Sequence, residues 1–313
     1  MPLFCIIELM KQKIIIDCDP GHDDAIALLV AAYSDKFDLV GVSTCAGNQT
    51  IDKTSKNADN LLHFFNKNIK VAKGESNPIK RTIKTCPEIH GESGLDGFDF
   101  PPYKENYDSR PAYEYIKDYV LANKDIIVIT TGPMTNLALA LTKYPEIKFN
   151  IKEIVLMGGS TGKGNITEEA EFNILVDPEA ADICFKLGIP LRMLGLNVTR
   201  KILVTDSVLD EARKIETRGS DLFIKLMNVF NTNQRLFFGL EYGPLHDPAT
   251  IISLINDKAF AFKRMQVDID TSDTYKLGKT YCKEDSNGNC LVATSVNLDE
   301  YWSEIYKHLR RCE

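Results

Sequence analysis

The sequence lacks any apolar run that approaches the roughly 20 residues required to span a membrane. Its first segment, MPLFCIIELMKQK, is apolar but short; it carries Glu8, has no basic start, and is not followed by a small-residue cleavage site. We therefore expect neither a signal peptide nor a membrane partner. Residues 1–9 could be an extension that precedes a start at Met10.

An excess of basic charge is also absent. The chain has 37 lysines and arginines against 44 aspartates and glutamates, which gives a formal net charge of −7 at pH 7. Proteins that bind nucleic acid through its phosphates need a basic face. The charge balance therefore argues against nucleic acid as a partner and is compatible with a small neutral substrate.

The eight cysteines form no CxxC pair, so the pattern gives no sign of a zinc framework. Several of them lie in apolar or strand-like segments, where a reduced cysteine packs as a small hydrophobic residue. We therefore expect a reducing compartment, the cytoplasm. Cys282 and Cys290 flank a turn that contains Asn and Gly and could pair, although nothing in the sequence requires it.

Strand-like and helix-like segments alternate along the chain. The strand patterns cover 14–16, 37–47, 69–74, 125–133, 151–160 and 189–199, and the helix patterns between them cover 25–33, 52–65, 135–145 and 177–188. This alternation predicts an α/β fold with a mostly parallel open sheet flanked by helices, and the nearly all-apolar strands indicate that both faces are covered. Since no linker or repeat interrupts the pattern, we expect one domain over residues 1–313. From about residue 268 the sequence predicts hairpin-like strands around Asn287-Gly288.

Polar segments follow several of the predicted strands. In open α/β sheets the ligand binds outside the carboxyl ends of the strands, and long loops in compact domains are often functional. The segments that follow strand patterns are 17–24, 46–48, 130–132 and 158–173. We expect them to meet at one edge of the sheet, although they are far apart in sequence.

The segment DCDPGHDDA carries Asp17, Asp19, Asp23 and Asp24 between two apolar runs. Carboxylates packed this closely repel one another unless they take up protons or a cation joins them. A hard divalent cation such as Ca²⁺ or Mg²⁺ fits these oxygen ligands. The alternative is that the aspartates only cap the following helix and carry charge in its first turn, where the helix dipole favours it.

A second acidic segment, HDPAT, begins at His246. Asp247-Pro248 precedes an apolar helical run, so Asp247 could simply be the N-cap of a helix with Pro at its first position. His246 alone could be a structural histidine. Both residues gain functional weight only beside the first acidic segment.

Together these segments resemble the nucleoside hydrolases of the inosine–uridine-preferring type, which have a Rossmann-like fold. The resemblance covers the chain from about Ile14 to the helix after Asp247. It rests on motifs in this order: DCDPGHDDA (17–25), AGNQT (46–50), HGESGLDG (90–97), TGPMTNLA (131–138), VLMGG (155–159), GNITEEAEFNILVDPEAA (164–181) and GPLHDPAT (243–250). It implies hydrolysis of the N-glycosidic bond of ribonucleosides to ribose and free base, with a tightly bound Ca²⁺.

The resemblance also implies roles for individual residues. Asp19, Asp24 and Asp247 would supply the carboxylate ligands of the metal and Thr131 a carbonyl ligand, with Asp19 also the general base. His246 would protonate the leaving base. The residues that would hold the ribose hydroxyls or the water site are Asp23, Asn48, Asn165, Glu171 and Asn173. Taken singly, Asn48 and Asn165 could be turn residues and Glu171 a solvated charge.

The preferred base depends, by the same resemblance, on two segments near 77–100 and 218–243. The second offers aromatic side chains for stacking on a base: Phe230, Phe237, Phe238 and Tyr242. His246 favours inosine–uridine or broad specificity, and pyrimidine preference is the alternative. A haloacid-dehalogenase-type phosphatase and a non-catalytic nucleoside sensor are the other hypotheses. Family members are commonly homodimers or homotetramers, and nucleoside salvage is the expected pathway.

Overall fold

The computed structural model describes residues 11–313. The proposed extension at residues 1–9 lies outside this range. Within it the chain forms one sheet of nine strands with helices on both faces. Among the described residues, no helix combines the length and the apolar character that a membrane span would need.

The strands, in chain order, are β1 (Gln12–Cys18), β2 (Phe37–Thr44), β3 (Val71–Lys73), β4 (Ile126–Thr130), β5 (Ile151–Met157), β6 (Leu191–Leu194), β7 (Phe260–Ile269), β8 (Thr280–Glu284) and β9 (Cys290–Val296). The helices are α1 (His22–Tyr33), α2 (Ile51–Phe64), α3 (Pro87–His90), α4 (Ala112–Ala122), α5 (Thr135–Lys143), α6 (Phe172–Val176), α7 (Pro178–Lys186), α8 (Leu196–Thr199), α9 (Asp206–Arg213), α10 (Arg218–Phe238), α11 (Pro248–Ile255) and α12 (Leu298–Arg311). A 3₁₀ helix at Pro145–Asn150 precedes β5.

The sheet order is β3-β2-β1-β4-β5-β6-β9-β7-β8. Strands β1 to β6 pair in parallel, β9 joins β6 in parallel, and only β7 runs against its neighbours. The predicted α/β fold with a mostly parallel sheet is therefore confirmed. Strand β1 lies inside the sheet with β2 on one side and β4 on the other. The end of β1 therefore falls between the ends of β2 and β4.

The predicted hairpin around Asn287-Gly288 is wrong. Strands β8 and β9 flank that turn in sequence, but β7 lies between them in the sheet and pairs antiparallel with both. The local hairpin is formed by β7 and β8 instead. Cys282 and Cys290 consequently lie on strands that are not neighbours, and both are free thiols.

Alternate residues of the central strands pack on opposite faces of the sheet. Ile14 and Ile16 belong to the core layer beneath α1, α10, α11 and α12, whereas Ile15 belongs to the layer beneath α4, α5 and α7. All three isoleucines are fully buried. Burial on both faces explains why β1 is apolar at three successive positions before Asp17, and it confirms the prediction that helices cover both faces.

Candidate active site

The first carboxylates of the site lie where β1 ends and α1 begins. The Pro20-Gly21 turn follows Asp19, and α1 starts at His22, so Asp23 and Asp24 fall in its first turn as predicted. Asp24 is held on both oxygens: Oδ2 accepts from the Gly21 backbone N–H at 3.0 Å, and Oδ1 accepts from the Thr131 hydroxyl at 2.6 Å. The Thr131 contact ties the end of β4 to this turn.

Asp247 reaches the same place from the other end of the chain. Carboxylate oxygens of Asp23, Asp24 and Asp247 lie within 4.8 Å of one another, and all three residues are buried. Asp247 stands at the N-cap of α11 with Pro248 at the first helical position, yet its side chain makes no capping hydrogen bond. The structure therefore brings together the two acidic segments and sets aside capping as the role of the Asp247 side chain.

Asp19 lies beside this group of three and is anchored by the loop after β2. Its Oδ2 accepts from the Asn48 backbone N–H at 2.7 Å, and the Asn48 amide donates to the Asp19 carbonyl at 3.1 Å and to Asp24 Oδ2 at 3.2 Å. The other oxygen, Asp19 Oδ1, is buried and has no hydrogen-bond partner among the described residues; the same holds for Asp23 Oδ1. Two acceptor atoms are thus left unpaired.

The negative charge of these four carboxylates is poorly offset by other groups of the protein. Burial, and next the charge of Asp24, raise the pKa of Asp23 to about 7. Burial and neighbouring aspartates likewise raise the pKa values of Asp19 and Asp247 well above those of ordinary aspartates. No basic side chain within residues 11–313 forms an ion pair with any of the four. A hard divalent cation fits this set, since its charge would offset the repulsion among the carboxylates.

Thr131, the predicted carbonyl ligand, lies directly after β4. Its backbone N–H donates to the Asp17 carbonyl at 3.1 Å, and its carbonyl accepts from the Asn173 amide at 2.8 Å. A carbonyl oxygen has two lone pairs, so one remains for a cation. Asp17 itself points away from this group: its Oδ1 accepts from Ser43 and Asn136, and burial raises its pKa to about 6.

Above the carboxylates lies a cavity of about 690 Å³. The predicted site residues that line it are Asp23, Asn48, Thr131, Asn165, Glu171, Asn173, His246 and Asp247. Asp19 and Asp24 are not among the lining residues and are fully buried behind them. Every predicted site residue is therefore either on the cavity wall or in hydrogen-bond or carboxylate contact with one that is.

Glu171 and Asn165 shape the loop that leads into α6. Glu171 is 3% exposed, so the alternative of a solvated charge is wrong. Its carboxylate accepts backbone N–H bonds from Gly159, Asn173 and Ile174, while burial raises its pKa to about 7. Asn165 accepts from the Phe172 N–H at 2.9 Å. Both side chains hold nearby backbone N–H groups in place, and both residues also line the cavity.

His246 lies on the cavity wall immediately before Asp247. Its Nδ1 is 2.7 Å from the hydroxyl oxygen of Thr199 at the end of α8. Burial, and then the nearby Arg200 guanidinium, lower the pKa of His246 to about 3.

Some lining residues were not predicted: Cys86, Ile89, Phe172, Arg200, Leu203 and Gln234. Arg200 donates to the Lys163 carbonyl at 3.0 Å and also to the Gly164 carbonyl, which anchors the loop that carries Asn165. Thr199 and Arg200 follow β6, so the rule that ligands bind beyond strand ends could have identified them. Gln234 gives no such signal, because it lies inside the helical pattern of α10.

Both segments predicted to govern base specificity contribute to the wall. His90, which had no assigned role, packs against both His22 and Phe230, with ring centroids 5.6 and 6.0 Å away. Phe230, Phe238 and Tyr242 also line the cavity, as their prediction as stacking residues requires, whereas Phe237 is 59% exposed and does not.

Comparison with known proteins accounts for this arrangement. A model of the family "Inosine-uridine preferring nucleoside hydrolase" matches residues 14–303. The chain belongs to this family. The Pyrimidine-specific ribonucleoside hydrolase RihB of Shigella flexneri serotype 5b (strain 8401) and that of Escherichia coli (strain K12 / DH10B) are each 39% identical over 305 residues, which is 96% of this chain and 97% of each relative.

Solved structures agree. The Purine-Preferring Ribonucleoside Hydrolase from Gardnerella vaginalis superposes with a TM-score of 0.87 at 29% identity. The plant nucleoside hydrolase PpNRh1 superposes with a TM-score of 0.90 at 26% identity. Each comparison covers 96% of this chain and 99% of the other. The nucleoside hydrolase is thus an enzyme that acts on N-glycosyl bonds, and the comparisons give no support to the phosphatase or to the sensor.

Proposed function

We propose that this nucleoside hydrolase converts ribonucleosides to ribose and free base with a bound Ca²⁺. Asp24 and Asp247 would hold the ion with Asp19 and the Thr131 carbonyl, and Asp23 borders the same group. The observation that carries the proposal is the set of buried carboxylates at the floor of a cavity of about 690 Å³, which have no basic partner within residues 11–313. When bound, the cation supplies charge neutralisation and lowers the pKa of a nearby water.

Asp19 is the proposed general base. The Asn48 N–H holds Oδ2, which orients the carboxylate and leaves Oδ1 without a partner, ready to accept a proton from water. The bond to the base breaks with positive charge developing at the anomeric carbon, and the surrounding carboxylates stabilise that charge.

Recognition of the ribose is assigned to the polar wall. Asp23, Asn48, Asn165, Glu171 and Asn173 offer oxygen acceptors and amide donors to the ribose hydroxyls. A 2′-deoxynucleoside would leave part of this wall unpaired, so we expect strong rejection of deoxyribose. His246, which also lines the cavity, is proposed to donate a proton to the departing base.

For the base, we propose preference for the pyrimidine ribonucleosides uridine and cytidine. Support comes from the 39% identity with RihB relatives that are named pyrimidine-specific, against 29% with the purine-preferring structure. Broad specificity that includes inosine is the second candidate. It is favoured by His246 at the wall of the cavity.

The decisive experiment measures kcat/KM for uridine, cytidine, inosine, adenosine and 2′-deoxyuridine with Ca²⁺ present. We expect kcat/KM for uridine and cytidine to exceed that for inosine by about tenfold or more. The value for 2′-deoxyuridine should lie far below that for uridine. Inosine within a few fold of uridine would establish the second candidate. Absence of base release from every nucleoside would reject both.

The remaining assignments concern the cellular setting. We propose a cytoplasmic enzyme of nucleoside salvage that assembles as a homodimer or homotetramer. Support for a reducing compartment comes from the seven free thiols among the described residues. Light scattering on the purified protein tests the assembly, and a monomer at micromolar concentration would contradict it.

A further inference from the structure

Thr199 makes a contact with the proposed general acid that the family resemblance does not explain. Its hydroxyl oxygen lies 2.7 Å from Nδ1 of His246. Thr199 is fully buried at the end of α8, the short helix that follows β6. The hydroxyl therefore stands on a helix that directly follows a strand of the sheet, and Thr199 is not among the residues that line the cavity.

The other ring nitrogen of His246 faces open space. Within residues 11–313, Thr199 provides the only hydrogen bond of this imidazole. Nε2 is not among the buried polar atoms that lack a partner, and His246 lines the cavity, so Nε2 is the nitrogen presented to a ligand. The contact at Nδ1 thus decides which nitrogen a departing base would meet.

A hydroxyl is suited to this contact through a proton transfer. The acid is the protonated ring, in which the Thr199 oxygen accepts from Nδ1–H while Nε2–H faces the base; once Nε2 has given its proton, the neutral ring keeps the proton on Nδ1 and the same oxygen still accepts it. Before the ring is protonated, the hydroxyl can instead donate its O–H to Nδ1. Among the described residues the Thr199 hydroxyl has no other partner, so its proton is free to point at the ring. Orientation of the ring and delivery from Nε2 both follow from this one bond.

We propose that Thr199 is a positioning residue that fixes the imidazole of His246 with Nε2–H directed at the leaving base. This inference rests on the proposed function, specifically on His246 as general acid. It extends that function because it names the residue that orients the proton donor: a buried threonine that does not touch the substrate.

The test compares Thr199→Val with Thr199→Ser on two substrates. Uridine needs protonation of its leaving base, whereas a nitrophenyl riboside releases a stable phenolate without it. We expect Thr199→Val to lower kcat on uridine by about 10- to 100-fold, the cost typical of removing a group that orients a functional histidine. The nitrophenyl riboside rate should stay within a few fold, and Thr199→Ser should restore most of the uridine rate.

Thr54→Val is the matched control. Thr54 is also a fully buried helical threonine, and its hydroxyl donates to the Cys45 carbonyl at 2.9 Å outside the cavity. The Thr54→Val variant loses a comparable buried hydrogen bond. If only Thr199→Val loses activity on uridine selectively, Thr199 is identified as a positioning residue. Equal losses on both substrates, or the same selectivity in Thr54→Val, would overturn the proposal.

The double variant His246→Ala/Thr199→Val separates this inference from the proposal beneath it. If Thr199 acts through His246, the double variant is no slower on uridine than His246→Ala alone. If His246→Ala shows no selective loss, the general-acid assignment itself fails. If His246→Ala is selective and Thr199→Val is not, only the positioning proposal fails.

A measurement on the wild type covers the case in which Thr199→Val does not fold. In protein labelled with ¹⁵N-histidine, the chemical shifts of the His246 ring report which nitrogen carries the proton. We expect Nδ1 to show the shift of a hydrogen-bonded nitrogen, whichever nitrogen carries the proton of the neutral ring. A shift typical of an Nδ1 without a hydrogen bond would overturn the proposal without any substitution at Thr199.

Discussion

Asp247 and Asp177 both stand directly before a proline at the start of a helix, yet their side chains do different things. Asp177 caps α7 by accepting from the Ala180 N–H at 3.0 Å, and it also accepts from Thr135 and Ile79. Asp247 makes no capping bond and joins the carboxylate group beneath the cavity. The same local sequence thus caps a helix in one place and joins a group of buried carboxylates in the other.

Replacing each of these aspartates by alanine should separate the two roles. Asp177→Ala leaves three donors without an acceptor, so we expect the free energy of unfolding to fall by about 1–3 kcal/mol with Ca²⁺ affinity retained. Asp247→Ala removes a carboxylate from a group whose members repel one another, so the calcium-free variant should be at least as stable as the calcium-free wild type. Its Ca²⁺ affinity should fall by about tenfold or more. Urea unfolding and calorimetric Ca²⁺ titration measure both. Destabilised calcium-free Asp247→Ala with normal affinity would reverse the assignment.

Asp19→Asn should remove the general base while it preserves the volume of the side chain. We expect kcat on uridine to fall by about 100- to 10,000-fold, because an amide cannot take the proton from water. Asp59→Asn is the control, since Asp59 is also buried but lies on α2, outside the residues that line the cavity. Near-normal turnover in Asp19→Asn at saturating Ca²⁺ would exclude Asp19 as the base.

His246→Ala should affect substrates according to their leaving group. Loss of the proposed acid should lower the rate on inosine and uridine by about 100- to 10,000-fold and the rate on a nitrophenyl riboside far less. Steady-state rates at saturating substrate provide the comparison. Parallel losses on natural and activated substrates would remove His246 from the acid role and leave it as part of the cavity wall.

The buried His308 should make stability depend on pH below neutrality. It lies in α12 with Nδ1 2.7 Å from the Glu304 carbonyl, and burial lowers its pKa below the ordinary 6.5. As pH falls through 6.5 the unfolded chain binds the proton first, so the contribution of this histidine to stability is complete above that pH and declines below it. Urea unfolding of His308→Gln between pH 7.5 and 5 should show a shallower decline than wild type. His63→Gln controls for replacing a histidine as such, and an unchanged decline in His308→Gln would contradict the prediction.

The convergence of the site could be predicted because it depends on local patterns and one topological rule. The apolar run that ends at Asp17 identifies β1, and the alternation of strands and helices identifies a parallel sheet. The rule that carboxyl ends share an edge then brings Asp19, Asn48 and Thr131 together. Only the resemblance connected Asp247 to this edge, since its own sequence context is that of an ordinary helix start.

What the sequence could not provide depends on long-range pairing and side-chain orientation. Nothing local in residues 280–296 shows that β7 inserts between β8 and β9, because strand order is decided by packing across the whole sheet. Glu171 lies in an acidic run, and its burial follows only from the three backbone N–H groups that surround it. Gln234 faces the cavity because of how α10 packs, which helical periodicity alone does not determine.

Calcium occupancy measured together with uridine hydrolysis tests whether the buried carboxylates hold a Ca²⁺ that catalysis requires. The protein is freed of metal with a chelator, and Ca²⁺ is then titrated back while heat of binding and base release are both recorded. We expect one Ca²⁺ to bind per chain, no measurable turnover without it, and activity that rises in proportion to Ca²⁺ occupancy. Full-speed hydrolysis by the calcium-free protein, or binding that leaves activity unchanged, would contradict it.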